Sequence, residues 1–518
     1  MNLRGKTFLA FFTISLLATA CAGPETPATA ITASAPTQPL DATLTAAAHP
    51  TISPEASPVP TLAPTPQPGL RTDGPYLTYF SNADEQRQLV LMDADGVGRK
   101  VIPWPFENEP WLHFISPDAK WLAYYLGSAQ NEQDSELTLN LLNLQTSESQ
   151  LVASLLSDDY PNNFIEAAET VNDPFRTAEN IAANLKETFI GGITNSIGWS
   201  PNSRYLAFAG QMDGLSSDIY LYDLETKETR RLTRGPEQIQ GIEWSPDGKW
   251  ILSSSATEYG AGGGYEEDAI AFGSFTMKPL PFRNNGVERQ WNDNHSYLQY
   301  DNQNVIGDHN FQLVDLETGK TRAIWDGMAN YAVFDPEMDL LIFWADTKVL
   351  PLSDNPSSFI PGSYLINTMN GKETRLEDFF SRNTWLLGMG NYRFFTKHGQ
   401  EAYFISADGT LIPAEEDIDN VSAAPNRQYW ASIGETLKVF DVNHKLIRDV
   451  ALPFVTLPSE AFRINSYLLT IWQPDSSGFF IAINEQLYHF NLQTTEVNLV
   501  ETYLMLDKGL TFTALSQK

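Results

Sequence analysis

The sequence predicts an all-β protein, a single β-propeller of about eight four-stranded blades with one helical insertion; seven or nine blades are also open. Two phrases carry this prediction, one built around Ser-Pro-Asp and one around Asp-Leu-Glu-Thr, and they alternate along the chain. Together they recur at roughly the 40 to 45 residues that one blade requires. Hairpins repeated at this period indicate a ring of sheets rather than a helical solenoid.

The first phrase predicts a tight turn between two strands. Proline presets φ at the first central turn position, Asp or Asn accepts local backbone hydrogen bonds, and Gly tolerates a positive φ. The apolar run after each turn then pairs back as a hairpin. The copies are Ser116-Pro117-Asp118, Ser200-Pro201-Asn202, Ser245-Pro246-Asp247, Asp335-Pro336, Ala424-Pro425-Asn426 and Gln473-Pro474-Asp475.

The second phrase predicts the third and fourth strands of each blade. An apolar strand ends at Asp or Asn, a short polar turn follows, and a second strand returns. The copies occupy residues 139–146, 219–226, 311–319, 365–371, 439–443 and 487–494. Residues 291–300 and 392–396 read as degraded first hairpins.

These two phrases resemble the WD-like, Pro-Asp-containing propeller repeat of the Tol-system periplasmic propeller and of many bacterial surface lipoproteins. The resemblance covers about residues 76–500 and implies the fold. We find no separate N-terminal α/β domain before the repeats, as the Tol-system protein has. The resemblance therefore does not extend to a Tol-like role.

The two ends of the repeat region are expected to share one blade. Residues 76–80 and 89–93 read as a second and a third strand with no first strand before them, whereas residues 510–515 form an orphan apolar strand. Pairing these segments would close the ring without leaving an exposed sheet edge.

The N-terminus predicts export and lipid attachment. Residues 1–20 combine Arg4 and Lys6 with an apolar stretch, and small residues precede Cys21, the only cysteine. This resembles the bacterial lipoprotein signal, in which the cysteine becomes the lipidated N-terminus, although Ala18 stands where Leu is usual. The alternative is cleavage without lipid. We expect a protein held on the outer face of the cytoplasmic membrane or at the cell surface.

Three segments follow from this organisation: the signal at 1–20, a tether rich in Pro, Thr and Ala at 21–74, and the propeller at 75–518. The tether has almost no large apolar residues, so it cannot form a core of its own. The formal net charge of the whole chain is −31. Such acidity disfavours nucleic acid as a partner and is typical of a soluble extracellular domain, with cationic ligands as the alternative. We expect a monomer.

Residues 155–192 interrupt the repeat and predict a helical insertion. Asp173-Pro174 suits a helix start, and Phe175, Ile181 and Phe189 are among the apolar residues that would share one face. This face would pack on the propeller itself or bind a partner.

The candidate ligand site is a loop at Tyr265, Glu266, Glu267 and Asp268, which follows a glycine-rich run. Its three carboxylates are oxygen ligands of the kind that Ca²⁺ prefers, although no EF-hand spacing is present. The alternative is a solvated flexible loop. Asp93 to Gly96 and Asp408-Gly409 are interpreted as turns, and the seven histidines have no zinc-site spacing. No other cofactor is predicted.

The leading hypothesis is a non-catalytic module that binds an envelope protein, a peptide or a glycan. The sequence contains no Gly-x-Ser-x-Gly and no His-Glu-x-x-His, the motifs of serine hydrolases and zinc proteases. A carbohydrate-active propeller with carboxylates around its channel is one alternative. The sensor domain of a signalling system is another.

Overall fold

The structure is a computed structural model, and the residues that it describes belong to one compact unit, Gln67–Lys518. They are residues 69–71, 74–83, 86–106, 114–127, 136–157, 177, 180, 189–213, 216–235, 238–256, 265–280, 287–291, 295–301, 311–327, 329–335, 338–345, 348, 359–376, 385–388, 394–398, 401–414, 418, 421–434, 436–452, 469–483, 485–505 and 510–513.

Within these residues the strands form antiparallel sheets, which we number along the chain. Sheet 1 has β1 (Tyr76–Ser81), β2 (Gln88–Asp93), β3 (Arg99–Pro103) and the last strand, β35 (Leu510–Thr513). Sheet 2 has β4 (Trp121–Leu126), β5 (Thr138–Asn143) and β6 (Ser149–Ser154). Sheet 3 has β7 (Ile197–Trp199), β8 (Tyr205–Gly210), β9 (Asp218–Asp223) and β10 (Glu228–Arg231). Sheet 4 has β11 (Gln238–Trp244), β12 (Trp250–Ala256), β13 (Tyr265–Ala271) and β14 (Thr276–Pro279).

The remaining sheets repeat the same order. Sheet 5 has β15 (Val287–Trp291), β16 (Ser296–Asp301), β17 (Phe311–Asp315) and β18 (Thr321–Trp325). Sheet 6 has β19 (Ala329–Asp335), β20 (Leu340–Ala345), β21 (Gly362–Asn367) and β22 (Glu373–Arg375). Sheet 7 has β23 (Trp385–Gly388), β24 (Phe394–His398), β25 (Glu401–Ile405) and β26 (Leu411–Pro413). Sheet 8 has β27 (Val421–Ala423), β28 (Tyr429–Ile433), β29 (Thr436–Asp441) and β30 (Leu446–Ala451). Sheet 9 has β31 (Leu469–Trp472), β32 (Gly478–Ile483), β33 (Gln486–Asn491) and β34 (Val497–Glu501).

The prediction of an all-β propeller with eight four-stranded blades is confirmed, and sheet 2 joins them as a three-stranded sheet. Among the described residues, one bridge between Ile115 and Leu122 stands where the other sheets have their first strand. The predicted ring closure is also confirmed, because β35 pairs with β1 through Tyr76 to Thr513 and Tyr79 to Leu510. The described ends of the chain therefore share sheet 1.

The core consists of apolar layers between neighbouring sheets. One large cluster joins sheets 1 to 4, and smaller clusters fill each later interface round to the pair of sheets 9 and 1. Between sheets 9 and 1, for example, Leu77 and Tyr79 meet Phe480 and Leu487. Aromatic and branched side chains suit such layers because each sheet buries both faces.

The first strand of each blade lies at the centre of the ring. Strands β7 and β11 contact each other, as do β19 and β23, and β23 and β27. Tryptophan indoles also link neighbouring blades: the Nε1 of Trp199 donates to the carbonyl of Phe114 at 2.7 Å, and that of Trp244 to the carbonyl of Gly198 at 3.0 Å. The tryptophan at the end of a first strand thus fixes its blade to the preceding one.

Antiparallel order gives the ring two different faces. The turns from first to second strand and from third to fourth strand emerge at one end of every sheet, which we call the turn face. The connections from second to third strand, and from one blade to the next, emerge at the other end, which we call the connection face. This division follows from the strand order alone, and it determines which segments a ligand on either face would contact.

Candidate functional site

The turn face is built from one repeated hydrogen-bond pattern. In the third copy the hydroxyl of Ser245 donates to Asp247 Oδ1 at 2.7 Å and accepts from the amide of Trp250 at 2.9 Å. The copies at Ser116 and Ser200 have the same two bonds. The serine and acid of the phrase therefore satisfy the turn itself and are not free to bind a ligand.

Neighbouring turns are also bonded to each other. The amide of Asp118 donates to Ser203 Oγ at 2.9 Å, from sheet 2 to sheet 3, and the amide of Asn426 donates to Ser476 Oγ at 3.0 Å, from sheet 8 to sheet 9. Both serines have positive φ, 61° and 63°. At the turn position where the phrase also accepts Gly, these serines therefore hydrogen-bond one blade to its neighbour.

The connection face carries the long and irregular segments. Residues 155–196 join sheets 2 and 3, residues 346–361 join β20 to β21, and residues 452–468 join sheets 8 and 9. Of the first of these, residues 189–195 are helical, and the buried Phe189 and Ile193 belong to the large core cluster. The segments that differ most in length from blade to blade lie on this face, and loops on rigid scaffolds commonly carry binding residues.

A row of polar side chains lies just inside the connection face, between sheets 4 and 5. Arg289, Gln299 and Gln312 are register partners on β15, β16 and β17. They share a face with Tyr297 and Val314, which pack against Leu252 and Ala269 of sheet 4. Gln299 is only 1% exposed, and Gln312 is also buried. We call Arg289, Gln299 and Gln312 the polar row.

Sheet 4 opposes the polar row with two small residues and two acidic positions, because Glu267 of β13 pairs with Ser254 and so lies on the same face. Gly241 and Ser254 are register partners on β11 and β12, and Glu243 follows at the next inward position. Glu243 Oε2 lies 3.7 Å from Arg289 Nη1, and its Oε1 accepts from Trp291 Nε1 at 2.7 Å. The interface is therefore apolar towards the turn face and polar towards the connection face.

Gln299 is one of several buried side chains in the described part of the chain whose polar atoms have no hydrogen-bond partner. Neither its Oε1 nor its Nε2 has a hydrogen-bond partner, although each atom is almost completely shielded from solvent. Burying an amide without partners costs roughly 1–3 kcal/mol, so such groups are uncommon in proteins. This amide has one acceptor and two donor hydrogens left to engage.

Sequence reasoning missed the polar row, although a comparison of the repeats would have found it. The corresponding register row is Ile197, Phe208 and Tyr220 in sheet 3. In sheet 9 it is Thr470, Ile481 and Tyr488. In sheet 5, Arg, Gln and Gln replace residues that are mostly apolar in the other sheets, and this replacement would have indicated the polar row. To see it, one must know how the strands pair, and the degraded hairpin of sheet 5 hides that pairing register.

The prediction of a loop at the candidate ligand site is wrong. Tyr265, Glu266, Glu267 and Asp268 do not form a loop but begin strand β13, and they pair with residues 253–256 of β12. The strand starts earlier than predicted because every backbone position up to Tyr265 finds a partner on β12. Cation binding by these residues stays a prediction. Only residues 257–264, which lie outside the described residues, separate the two strands.

Other predicted features fall in different places. Cys21, the whole tether up to residue 68 and most of the helical insertion lie outside the described residues. The turns at Asp93 to Gly96 and Asp408-Gly409 are observed as turns. Hydrogen bonds from Ser406 and Thr410 lower the pKa of Asp408 to about 2.

Two searches of the described residues gave negative results. Nowhere in these ranges do three His, Cys, Asp or Glu side chains come together in a way that could hold a metal ion. No helix among the same residues is long and apolar enough to cross a membrane.

Comparison with known proteins gives short sequence matches. Residues 177–259 match the model of the family described as eukaryotic translation initiation factor eIF2A. An uncharacterized protein, Atu1656 of Agrobacterium fabrum, is 37% identical over 59 residues, which are 11% of this chain and 20% of that protein. The uncharacterized peptidase YuxL of Bacillus subtilis is 41% identical over 54 residues, 10% of this chain and 8% of that protein. The chain thus covers a small part of either relative.

Solved structures give wider but more distant matches. A eukaryotic initiation factor covers 85% of this chain and 98% of its own length, with 12% identity and a TM-score of 0.49. TolB from Acinetobacter baumannii covers 73% and 80%, with 13% identity and a TM-score of 0.26. An oligogalacturonate lyase in complex with manganese covers 61% and 90%, with 14% identity and a TM-score of 0.26. At these identities the likeness concerns fold and not function.

Proposed function

We propose that this chain is a lipid-anchored extracellular propeller that binds an envelope protein, a peptide or a glycan through its connection face, as a monomer and without catalysis. The observation that carries the proposal is the difference between the two faces. Three described turns of the turn face share one hydrogen-bond pattern, whereas the connection face bears the long segments and the polar row.

The entry of the chain into the propeller supports this orientation. The amide of Arg71 donates to Asp93 Oδ1 at 3.1 Å, and the Arg71 side chain is bonded to Asp95. Asp93 ends β2 and Asp95 lies in the turn between β2 and β3, on the turn face. The described chain therefore enters the propeller at the turn face, and its point of entry leaves the connection face uncovered.

Site-specific photo-crosslinking in intact cells tests the proposal with positions of equal exposure. Ile360 and Tyr503 lie on the connection face and are 55% and 54% exposed; Val97 and Met369 lie on the turn face at 54% and 60%. A photoreactive amino acid at either connection-face position should give a discrete adduct. The two turn-face positions serve as matched controls and should give none.

Adducts formed equally at all four positions, or only at Val97 and Met369, would contradict a binding role for the connection face. Because all four side chains are exposed, the substitutions should leave the fold intact, and the melting temperature of each variant checks this. The Cys21→Ser variant described in the Discussion tests the anchor separately.

A further inference from the structure

The segment that leads into the first strand is docked on sheet 1. Leu70 packs against the large core cluster, and the amide of Arg71 donates to Asp93 Oδ1 at 3.1 Å. The guanidinium of Arg71 is paired with Asp95, in the turn between β2 and β3. We call residues 69–71 the latch.

A glycine of sheet 1 makes room for the latch. The φ of Gly98 lies outside the left-handed region, so its backbone conformation does not require glycine. An added Cβ would instead collide with Asp93 Oδ2 and lie 2.8 Å from the carbonyl oxygen of Gly69. The absence of a side chain at Gly98 therefore allows the close contact between the turn and the latch.

A buried histidine packs against the other side of the same turn. The ring of His489, on β33, lies so close to Gly96 that an added Cβ at Gly96 would be 3.2 Å from its Nδ1. Its Nε2 is buried and has no hydrogen-bond partner. Burial lowers the pKa of His489, and Asp95 opposes this effect. At neutral pH the histidine is therefore uncharged, and Asp95 holds Arg71.

Among the described residues, the other charged and titratable groups around this turn have partners or face solvent. They are Arg99 with Glu501 and Tyr79, Asp475 with Ser477, and the exposed Glu496. Asp93 is a second place where the latch can take up a proton, because burial raises its pKa against the effect of Arg71. Asp95 is the carboxylate that a protonated His489 would meet.

We infer that the latch opens in acid, because a protonated His489 competes with Arg71 for the carboxylate of Asp95. A buried imidazolium is costly without a counter-charge, and one carboxylate then serves two cations. The coupling is reciprocal: the proton weakens the contact of Arg71, and bound Arg71 disfavours the proton. This device goes beyond the proposed function and does not depend on what the connection face binds.

Trypsin digestion at slightly alkaline pH measures whether the latch is docked. Arg71 is the only Lys or Arg between Cys21 and Tyr76, so cleavage after it separates the tether from the ring. Gly98→Ala should displace the latch and speed this cleavage roughly tenfold, as expected for the loss of one hydrogen bond to a charged group. Gly191→Ala is the matched control, because an added Cβ there meets nothing within 4 Å.

Equal cleavage of Gly98→Ala and the unaltered protein would show that the latch is not docked in solution, which would overturn the inference. A faster cleavage in Gly98→Ala alone supports docking. The competition for Asp95 then needs its own measurement.

Histidine NMR of the protein with its tether tests the competition. Arg71→Gln removes the competing cation, so His489 should titrate at a higher pH than in the unaltered protein. The Arg71 side chain is 67% exposed, so this variant should fold normally. Arg87→Gln makes the same change at the opposite end of sheet 1 and should leave the titration where it was. An unchanged titration in Arg71→Gln would reject the competition.

Hydrogen exchange of the Arg71 amide follows the opening itself. After correction for the intrinsic rate, its protection should fall roughly tenfold between neutral pH and about pH 4 in the unaltered protein. His489→Asn should retain the protection to lower pH. If both proteins lose it at the same pH, Asp93 is the sensor and the role of His489 is refuted. Adducts at Ile360 or Tyr503 in the crosslinking experiment would support the proposed function whichever way the latch behaves.

Discussion

Arg99 on β3 and Glu501 at the end of β34 form an ion pair at 3.1 Å across 402 positions of the chain. Glu501 is buried, and its other oxygen accepts from the amides of Thr502 and Tyr503. Tyr79 contacts the same carboxylate at 3.4 Å, and burial raises the pKa of that phenol far above its usual range. The pair therefore joins the last blade to the first at the point where the ring closes.

Breaking this pair from one side should destabilise the propeller strongly. Arg99→Met leaves the buried Glu501 carboxylate without its cation, and such losses typically cost about 3–5 kcal/mol. The double variant Arg99→Met, Glu501→Met removes both charges and should be clearly more stable than the single variant. Chemical unfolding of the three proteins measures this, and a double variant no better than Arg99→Met would show that the pair is not coupled.

Deleting residues 508–518 should open the ring. The deletion removes β35, which exposes the paired edge of β1 and the apolar Leu510 and Phe512 contacts with sheet 9. We expect a lower melting temperature and aggregation on heating, because unpaired edges template association. Calorimetry and light scattering check this, with a deletion of residues 514–518 as the control. A melting curve unchanged by the longer deletion would refute closure through β35.

The hydrogen bond between the turns of sheets 2 and 3 should also form between sheets 3 and 4 when a serine is placed at the equivalent position. Ser203→Ala removes the acceptor for the Asp118 amide and should cost about 1 kcal/mol. At the equivalent position of sheet 4, Gly248 has a φ of 70°, and an added Cβ would lie 3.4 Å from Pro201 Cδ. Gly248→Ser and Gly248→Ala share the same backbone strain.

Only the serine variant offers a hydroxyl to the Asn202 amide. Gly248→Ser should therefore unfold with a free energy about 1 kcal/mol higher than Gly248→Ala. Urea titrations of the two proteins make the comparison. Equal stability of the two would mean that the geometry seen between sheets 2 and 3 does not extend to sheets 3 and 4.

Acid should weaken the propeller through His444. Burial lowers its pKa from 6.5 to about 4, against the opposing effect of Asp441, and the ring lies 3.9 Å from that of Phe404 between centroids. Since the unfolded chain binds the proton more readily, the stabilising contribution is complete above pH 6.5 and is lost as the pH falls towards 4.

His444→Asn tests this dependence, because Asn tolerates the positive φ of 62° at this position. The drop in melting temperature between neutral pH and about pH 4.5 should be smaller in the variant than in the unaltered protein. The same drop in both proteins would place the acid sensitivity elsewhere.

Cys21→Ser should abolish the membrane attachment that the sequence predicts. The substitution removes the only thiol that could be acylated. Labelling with a radioactive fatty acid should disappear, and the protein should move from the membrane fraction to the soluble fraction. Retention of the variant in salt-washed membranes would reject the anchor.

The sequence by itself determined the propeller, the repeat period and the closure by a C-terminal strand. These features are local: a Ser-Pro-Asp turn satisfies its own hydrogen bonds whatever lies around it, and an apolar strand such as residues 510–515 requires a partner. The four-stranded blades and the partner of β1 could be predicted for this reason.

Only the tertiary structure decided which residues meet between the blades. The strand that contains Glu266 looked like a loop because a glycine-rich run precedes it, yet β12 provides a full pairing edge. Arg289, Gln299 and Gln312 form one row only through a register that is not visible in a degraded repeat. Arg99 reaches Glu501 only because the ring closes. Local propensity fixes strands and turns, whereas the side-chain contacts between distant segments depend on the pairing register, which no single segment encodes.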